Sequence, residues 1–244
     1  MSKESVKKIL LVEDEPHLAF NLELNLRAEG YEIHLAETGE KALNLYHSNR
    51  DFDLILLDVM IPEPNGFSIA RSIRSEDRRI GIIMLTARAS EADRLRGLEL
   101  GVDDYICKPF NLKELLLKVK RAIFRSDLFQ STQASHDAVW ERGPYKLNTS
   151  TLELTTPTGT YSLTALECDI LSAFMENENT VLSREYLLEN VWGMKGQFET
   201  RTVDNFVGRL RKYLETNPNK PETLESIRGR GYRFNTPSKD KESL

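Results

Sequence analysis

Short apolar runs separated by amphipathic stretches organise the first half of the chain. The runs are Ile9–Val12, Ile33–Ala36, Leu54–Leu57, Ile80–Leu85 and Tyr105–Cys107. Apolar residues also recur at helical spacing: Leu18/Leu22/Leu26, Ala42/Leu45/Tyr46, Ile69/Ile73, Leu95/Leu98 and Leu112/Leu115/Leu116/Val119. The alternation of strand and helix signals predicts an α/β domain, a parallel sheet with helices on both faces. The runs are continuous rather than alternating, as in strands buried on both sides. Sheets of this kind carry their chemistry at the carboxyl ends of the strands.

The pattern changes in the second half. The last helical stretch fades near Phe124 to Leu128, and Gln130–Asp137 is polar and without period, which predicts a linker over 126–143. Residues 145 to 163 form Thr-rich alternating pieces broken by Asn148, Pro157 and Gly159, as in an antiparallel meander. Three helices are expected next, over Thr164–Met175, Ser183–Val191 and Glu199–Leu214. Thr164 and Glu167 have the spacing of a capping box. The stretch Leu224–Phe234, with Gly229 and Gly231, reads as a hairpin. The chain therefore divides into a first domain over 1–125, a linker over 126–143, a second domain over 144–237 and a polar tail over 238–244.

Polar residues follow the predicted strands at chosen places. Glu13, Asp14 and Glu15 follow the first run, Asp58 follows the third, Thr86 ends the fourth and Lys108 ends the fifth. One by one these are ordinary turn residues. In a doubly wound sheet they converge on one edge. Clustered carboxylates repel unless a cation or protons intervene. An all-oxygen set with open positions suits Mg²⁺, which bridges to phosphate. A carboxylate beside that metal can accept a phosphoryl group, with Lys108 and Thr86 set against its oxygens.

The segments V-E-D-E-P, L-L-D-V-M-I-P-E-P-N-G, M-L-T-A and D-D-Y-I-C-K-P-F resemble the receiver domain of bacterial two-component response regulators, over residues 7 to about 124. The resemblance implies a flavodoxin-like (βα)5 fold with a five-stranded parallel sheet. It implies Glu13 and Asp14 as metal-site acids, Asp58 as phosphoacceptor, Thr86 as switch hydroxyl, Tyr105 as switch aromatic and Lys108 as the phosphate-contacting cation. The backbone carbonyl of Met60 is expected to complete the Mg²⁺ shell, and Lys108–Pro109 to be a cis peptide. Gly66 fits a backbone constraint before the next helix. Met60 and Arg88 stand where receivers flank the path of the attacking water. A sensor histidine kinase is the implied phosphoryl donor. An active-state homodimer is implied through Arg94, Glu99, Asp104, Glu114, Lys118 and Lys120, paired across subunits as Arg94–Glu114, Asp104–Lys118 and Glu99–Lys120.

The third helix of the second half has an apolar stripe of Val203, Phe206, Val207, Leu210 and Leu214. Helical spacing puts Arg201, Asn205, Gly208, Arg209 and Lys212 opposite it, with Arg211 on a flank. A cationic, amide-bearing face suits the major groove, where Arg reads guanine and Asn reads adenine. The hairpin turn carries Arg228, Arg230 and Arg233, and tips of this kind insert arginine into the minor groove. The motifs L-T-A-L-E-C-D-I-L, L-L-E-N-V-W-G, R-T-V-D-N-F-V-G-R-L-R-K-Y-L and S-I-R-G-R-G-Y-R-F resemble the winged helix-turn-helix (α+β) effector domain of the OmpR/PhoB family, over 145–236. The resemblance implies promoter DNA contacts from Arg201, Thr202, Arg209 and Arg211 on the recognition helix, and from Arg228 and Tyr232 on the wing. Asn205, Phe206 and Gly208, with Arg209, are expected to set the sequence read. The loop Gly193–Phe198 is where relatives touch RNA polymerase.

Composition bears on this reading chiefly through charge. The 244 residues carry a formal charge of −5, which on its face argues against a nucleic-acid partner. Residues 131 to 200 hold 4 basic and 10 acidic residues, whereas 201 to 233 hold 8 and 4. The cationic footprint is thus confined to the recognition helix and wing. No apolar run is long enough to span a membrane, and the polar Met1–Lys8 followed by Ile9–Val12 is too short for a signal peptide. Cys107 and Cys168 make no disulfide framework and are expected to be buried thiols in a reducing cytoplasm. Three other readings stay open: a Mg²⁺-dependent phosphohydrolase using Asp58, a receiver whose second half binds only protein, and a regulator that binds DNA without phosphorylation. Against the first, Met60 stands where a second catalytic acid would be, and no G-x-x-x-x-G-K-[ST] loop exists.

Overall fold

The computed structural model describes residues 6–87, 100–132, 139–193 and 201–236. The chain forms two compact units, Met1–Asp127 and Leu128–Leu244. In the first, β1 (Lys8–Val12), β2 (Glu32–Ala36), β3 (Leu54–Asp58), β4 (Gly81–Thr86) and β5 (Asp104–Cys107) form one parallel sheet in the order β2-β1-β3-β4-β5. The described helices of this half are α1 (Pro16–Ala28), α2 (Gly39–Ser48), α3 (Gly66–Glu76) and α4 (Leu112–Thr132). The helix expected around Leu95 and Leu98 lies outside the described residues.

The continuous apolar runs divide by the two-residue period of a strand. Leu10, Val12, Ile55, Leu57, Ile82 and Met84 face α2 and α3, packing with Ala42, Tyr46, Ile69 and Ile73. Ile9, Leu11, Leu54, Leu56, Ile83 and Leu85 face the other way, packing with Leu22 and Leu26 of α1 and Leu115 and Val119 of α4. Every residue of β3 and β4 is buried, so neither strand has room for a polar side chain except at its end. Local signals set the helix starts. Thr38 caps α2 by accepting from the Lys41 amide at 3.2 Å, Asn65 caps α3 by accepting from the Ser68 amide at 3.1 Å, and Pro16 opens α1.

A buried ion pair braces the opposite ends of the strands. Arg74 donates to Asp103 Oδ2 at 2.8 Å, to the Gly101 carbonyl at 2.9 Å and to the Ile80 carbonyl at 2.6 Å. Asp103 Oδ2 also accepts from the Ile82 amide at 2.8 Å. The pair ties the end of α3 to the segments entering β4 and β5.

The second unit begins with β6 (Val139–Arg142), β7 (Tyr145–Asn148), β8 (Glu153–Thr156) and β9 (Gly159–Ser162), an antiparallel sheet in that order. Then come α5 (Ala165–Glu176), β10 (Val181–Leu182), α6 (Arg184–Asn190), α7 (Arg201–Leu214), β11 (Leu224–Ile227) and β12 (Gly231–Phe234). The last three strands pair in the order β10-β12-β11. The Thr164–Glu167 capping box is formed in both directions. One core gathers Leu166, Ile170 and Phe174 of α5, Leu187 and Leu188 of α6, Val203, Phe206 and Leu210 of α7, and Leu224 and Phe234 of the hairpin.

Three expectations need correction. The helix expected to fade near Phe124 continues to Thr132, because Ser126, Gln130 and Ser131 are polar without being helix breakers, and no Gly or Pro intervenes. The predicted linker over 126–143 is therefore helix at its start, and at its end it is the strand β6, whose short edge-type pattern carries little periodic signal. Cys107 is exposed, since it ends β5 at the sheet's open edge, and only Cys168 is buried.

Gly231 and Gly208 separate backbone need from tolerance. Gly231 has φ +140°, and a Cβ there would lie 2.0 Å from the Leu182 carbonyl oxygen, where β12 crosses β10. A Cβ on Gly208, exposed in mid-helix, would meet nothing within 4 Å. Denaturant unfolding is expected to show Gly231→Ala losing roughly 1–3 kcal/mol or more from backbone strain. Gly208→Ala is expected to gain about 0.5–1 kcal/mol in the same assay.

Candidate functional site

Strand ends β1, β3, β4 and β5 meet at one edge of the first sheet. Glu13 follows β1 and is fully buried, and Asp14 beside it is exposed. Asp58 is the last residue of β3 and Thr86 the last of β4, both buried. Lys108 follows β5, its amide donating to the Thr86 carbonyl at 2.7 Å, and the Lys108–Pro109 peptide is cis as expected. The backbone also fixes the turn after β3. A Cβ on Gly66 would lie 2.3 Å from the Asp58 carbonyl oxygen, which is the backbone constraint expected of this glycine.

The Lys108 ammonium bridges the two buried acids. Its Nζ lies 2.7 Å from Asp58 Oδ2, and 2.9 and 2.8 Å from Glu13 Oε1 and Oε2. Asp58 Oδ1 accepts from the Met60 amide at 3.0 Å. Burial pushes the Glu13 carboxyl pKa up, opposed by the hydrogen bond from Lys108 and assisted by the charge of Asp58. Burial pulls the Lys108 pKa down, but hydrogen bonds to Asp58 and Glu13 outweigh it and the net shift is upward. Glu13, Asp14 and Asp58 offer carboxylate oxygens that all lie within 4.8 Å of one another. This hard-oxygen set, part buried and part open to solvent, fits a Mg²⁺ ion.

Tyr105 lies on β5, half-buried against the α2/α3 side of the sheet. The Met60 side chain is exposed beside Asp58. On the expected dimer face, Arg94 and Glu99 lie outside the described residues, as does Arg88. Glu114 and Lys120 are exposed on α4. Asp104 and Lys118, expected to pair across subunits, pair within one chain at 2.8 Å, because β5 and α4 pack side by side.

In the second unit, the exposed face of α7 differs from the expected one. Asp204, Gly208 and Lys212 are exposed, and Thr202, Asn205 and Arg211 are half-buried. Arg201 opens the helix, and its side chain is outside the described set. Arg209, expected on the cationic face, is buried. Its Nε and Nη2 donate to Glu167 Oε1 at 2.9 and 2.7 Å, and its guanidinium lies 4.5 Å from the Phe206 ring centre. The reason is angular: Arg209 follows Phe206 by three residues, so it shares that residue's inner flank. Arg211 donates to the Leu224 carbonyl at 2.7–2.8 Å and to Ser226 Oγ at 2.9 Å, tying α7 to β11. Tyr232, expected to act from the wing, is 4% exposed, its ring inside the unit and its hydroxyl held by Asp204 and Arg184. Arg228 and Arg230 are exposed on the turn between β11 and β12. Of the loop Gly193–Phe198, only Gly193 is described.

Sequence reasoning passes over Asp204, Arg184 and the Glu167–Arg209 pair. The last is legible in part, since Glu167 has the spacing of a capping residue.

These features define a class: a receiver-type α/β domain followed by a winged-helix domain. Residues 9–120 match the family described as "Response regulator receiver domain", and 158–234 that described as "Transcriptional regulatory protein, C terminal". The chain is 37% identical to a probable transcriptional regulatory protein of Picosynechococcus sp., over 93% of this chain and 92% of that one. It is 36% identical to the sensory transduction protein RegX3 of Mycobacterium tuberculosis, over 93% and 98%. It is also 36% identical to the DNA-binding response regulator MtrA of Mycolicibacterium smegmatis, over 95% and 98%. A solved structure of a RitR cysteine-to-serine mutant superposes with a TM-score of 0.73 at 27% identity, covering 93% of this chain and 98% of that one. The chain belongs to the DNA-binding response regulators of the OmpR/PhoB type. The family is one of transcriptional regulators, not turnover enzymes. Among the described residues no helix is long and apolar enough to cross a membrane.

Removing the buried cation leaves Glu167 uncompensated. Arg209→Met is expected to lower the stability of the second unit by about 3–5 kcal/mol. Combining it with Glu167→Leu should cost less than Arg209→Met alone, and paired denaturant titrations check both.

Proposed function

We propose that this response regulator is switched by phosphorylation of Asp58 and then regulates transcription from promoter DNA. The observation that carries the proposal is Asp58 Oδ2 at 2.7 Å from Lys108 Nζ, with Glu13 and Asp14 at the same edge. A sensor histidine kinase presents a phosphohistidine. The P–N bond to its imidazole breaks as an Asp58 oxygen forms the new P–O bond. The Glu13, Asp14 and Asp58 carboxylates, with the Met60 carbonyl, would hold Mg²⁺. When bound, the metal supplies positive charge for the phosphoryl oxygens. Lys108 stays at the site as a second cation, and Thr86 stands at the neighbouring strand end to bond a phosphoryl oxygen. Thr86 and Tyr105 then carry the change towards the dimer face.

The active form is proposed to be a homodimer through the face that includes Asp104, Glu114, Lys118, Lys120, Arg94 and Glu99. The internal Asp104–Lys118 pair would have to exchange for its cross-subunit equivalent. Dimerised second units bind DNA through the exposed part of α7 and the Arg228–Arg230 turn, and the Gly193–Phe198 loop meets RNA polymerase. The setting is the cytoplasm.

Incubation with acetyl phosphate and Mg²⁺ is expected to add one phosphoryl group by intact mass and to shift gel filtration towards a dimer. Asp58→Asn should show neither. A mass gain in Asp58→Asn would overturn the assignment, and phosphorylation without dimerisation would overturn the switch. On the DNA side, Arg228→Ala with Arg230→Ala is expected to weaken binding. The salt slope should fall by about 1 for each phosphate that no longer meets an arginine.

A further inference from the structure

Three elements of the second unit meet at a single oxygen. Asp204 Oδ1, on the exposed face of α7, accepts from Tyr232 Oη of β12 at 2.6 Å. The same oxygen accepts from Arg184 Nε, at the start of α6, at 2.6 Å. Arg184 Nη2 closes the triangle by donating to Tyr232 Oη at 2.9 Å. The Arg184 guanidinium lies 4.7 Å from the Tyr232 ring centre, and that of Arg211 lies 5.8 Å from it. Arg211 also holds β11 through the Leu224 carbonyl and Ser226. The wing is thus joined to the recognition helix by a charged network.

The placement of Asp204 is odd for a nucleic-acid reader. A carboxylate on the face presented to a polyanion opposes binding on electrostatic grounds. Here its charge is spent on Arg184 and the Tyr232 hydroxyl. The Tyr232 ring packs in the core, and its hydroxyl, near the start of β12, is held by Asp204 and Arg184. The turn carrying Arg228 and Arg230 connects directly to β12. Its distance from Thr202, Asn205 and Gly208 on α7 therefore depends on this junction.

We propose that Asp204 is a positioning residue for DNA recognition, which locks the wing against the recognition helix through Tyr232 and Arg184 so that both address one duplex in register. Asp204 would thus hold two reading elements together rather than read the duplex. This role requires no contact between Asp204 and DNA.

The test uses the full chain and two probes: a duplex enriched by the unaltered protein from a random-sequence library, and a mixed-sequence duplex that was not enriched. Asp204→Asn is expected to weaken binding to the enriched duplex about tenfold, within the range of coupled neighbouring groups. Binding to the unenriched duplex should hold or tighten, since one negative charge is gone. Tyr232→Phe keeps the ring and should act in the same direction. The double variant should lose no more than the larger single loss. Burial, with Asp204 next, holds the Tyr232 hydroxyl pKa up to about 12. Ultraviolet titration of Asp204→Asn should show that tyrosine ionising at lower pH. Tighter binding of Asp204→Asn to both duplexes would overturn the proposal, because the residue would then act only as a repulsive charge. Equal losses on both duplexes would also overturn it, because the residue would then serve folding alone.

Discussion

Carboxylates do not gather at a strand edge without a cation, and the first unit is arranged around supplying one. The sheet is apolar on both faces, so its polar chemistry is driven to the carboxyl ends of the strands. Glu13 and Asp58 are brought there by adjacent strands and are both nearly dry. Lys108 arrives from the far side of β4 and sits between them at hydrogen-bond distance. Two negative charges and one positive leave the site with an excess of negative charge, and Asp14 adds to it at the open rim. That residual charge is what a divalent ion would neutralise, and the proposed phosphoryl transfer would depend on it.

The same pairing with an arginine recurs at three other acids, two buried and one exposed. Asp103 is held by Arg74, Glu167 by Arg209 and Asp204 by Arg184. Each pair joins segments distant in sequence: α3 with the entry to β5, the start of α5 with α7, and α6 with α7. Buried ion pairs contribute little net stability, since desolvation offsets the Coulomb gain, but losing one partner is costly. Their effect is to make wrong packings expensive. The second unit needs this because its recognition surface is assembled from a helix and a hairpin, tied together at β11 by Arg211 and at β12 by the Asp204–Tyr232 hydrogen bond.

The strand and helix pattern of the first unit was legible because short continuous apolar runs give way to stretches of helical period at sharp boundaries. The strand-end residues followed from topology, since a parallel sheet aligns all its carboxyl ends. Charge was harder to read. Arg209 and Lys212 look alike on a helical projection, yet three residues from Phe206 is the inner flank and one further turn is solvent. On that flank Glu167, 42 residues away in sequence, gives Arg209 its partner. Tyr232 misled for the same reason, because a wing tyrosine flanked by arginines reads as a surface residue until its ring is seen to fill the core. β6 and β10 were missed because edge strands of two to four residues leave too little alternation to detect.

The cationic surface available to DNA is accordingly smaller than the count over 201 to 233 suggests. Arg209 is taken up by Glu167, Arg233 by Glu225, and Arg211 in large part by β11. Lys212, Arg228 and Arg230 are exposed at the helix and the turn, and Arg201 opens the helix. Few phosphate contacts mean a shallow salt dependence and weak attachment to arbitrary sequence. A single second unit then has little electrostatic affinity to spare, and its hold on DNA depends on contacts that require the helix and turn to be in register. A domain of that kind gains most from being doubled, because tethering a second copy raises its effective concentration without adding charge. The internal ion pairs that draw arginines away from the surface are therefore consistent with control by dimerisation: they keep one copy weak, which leaves the proposed phosphorylation switch something to change.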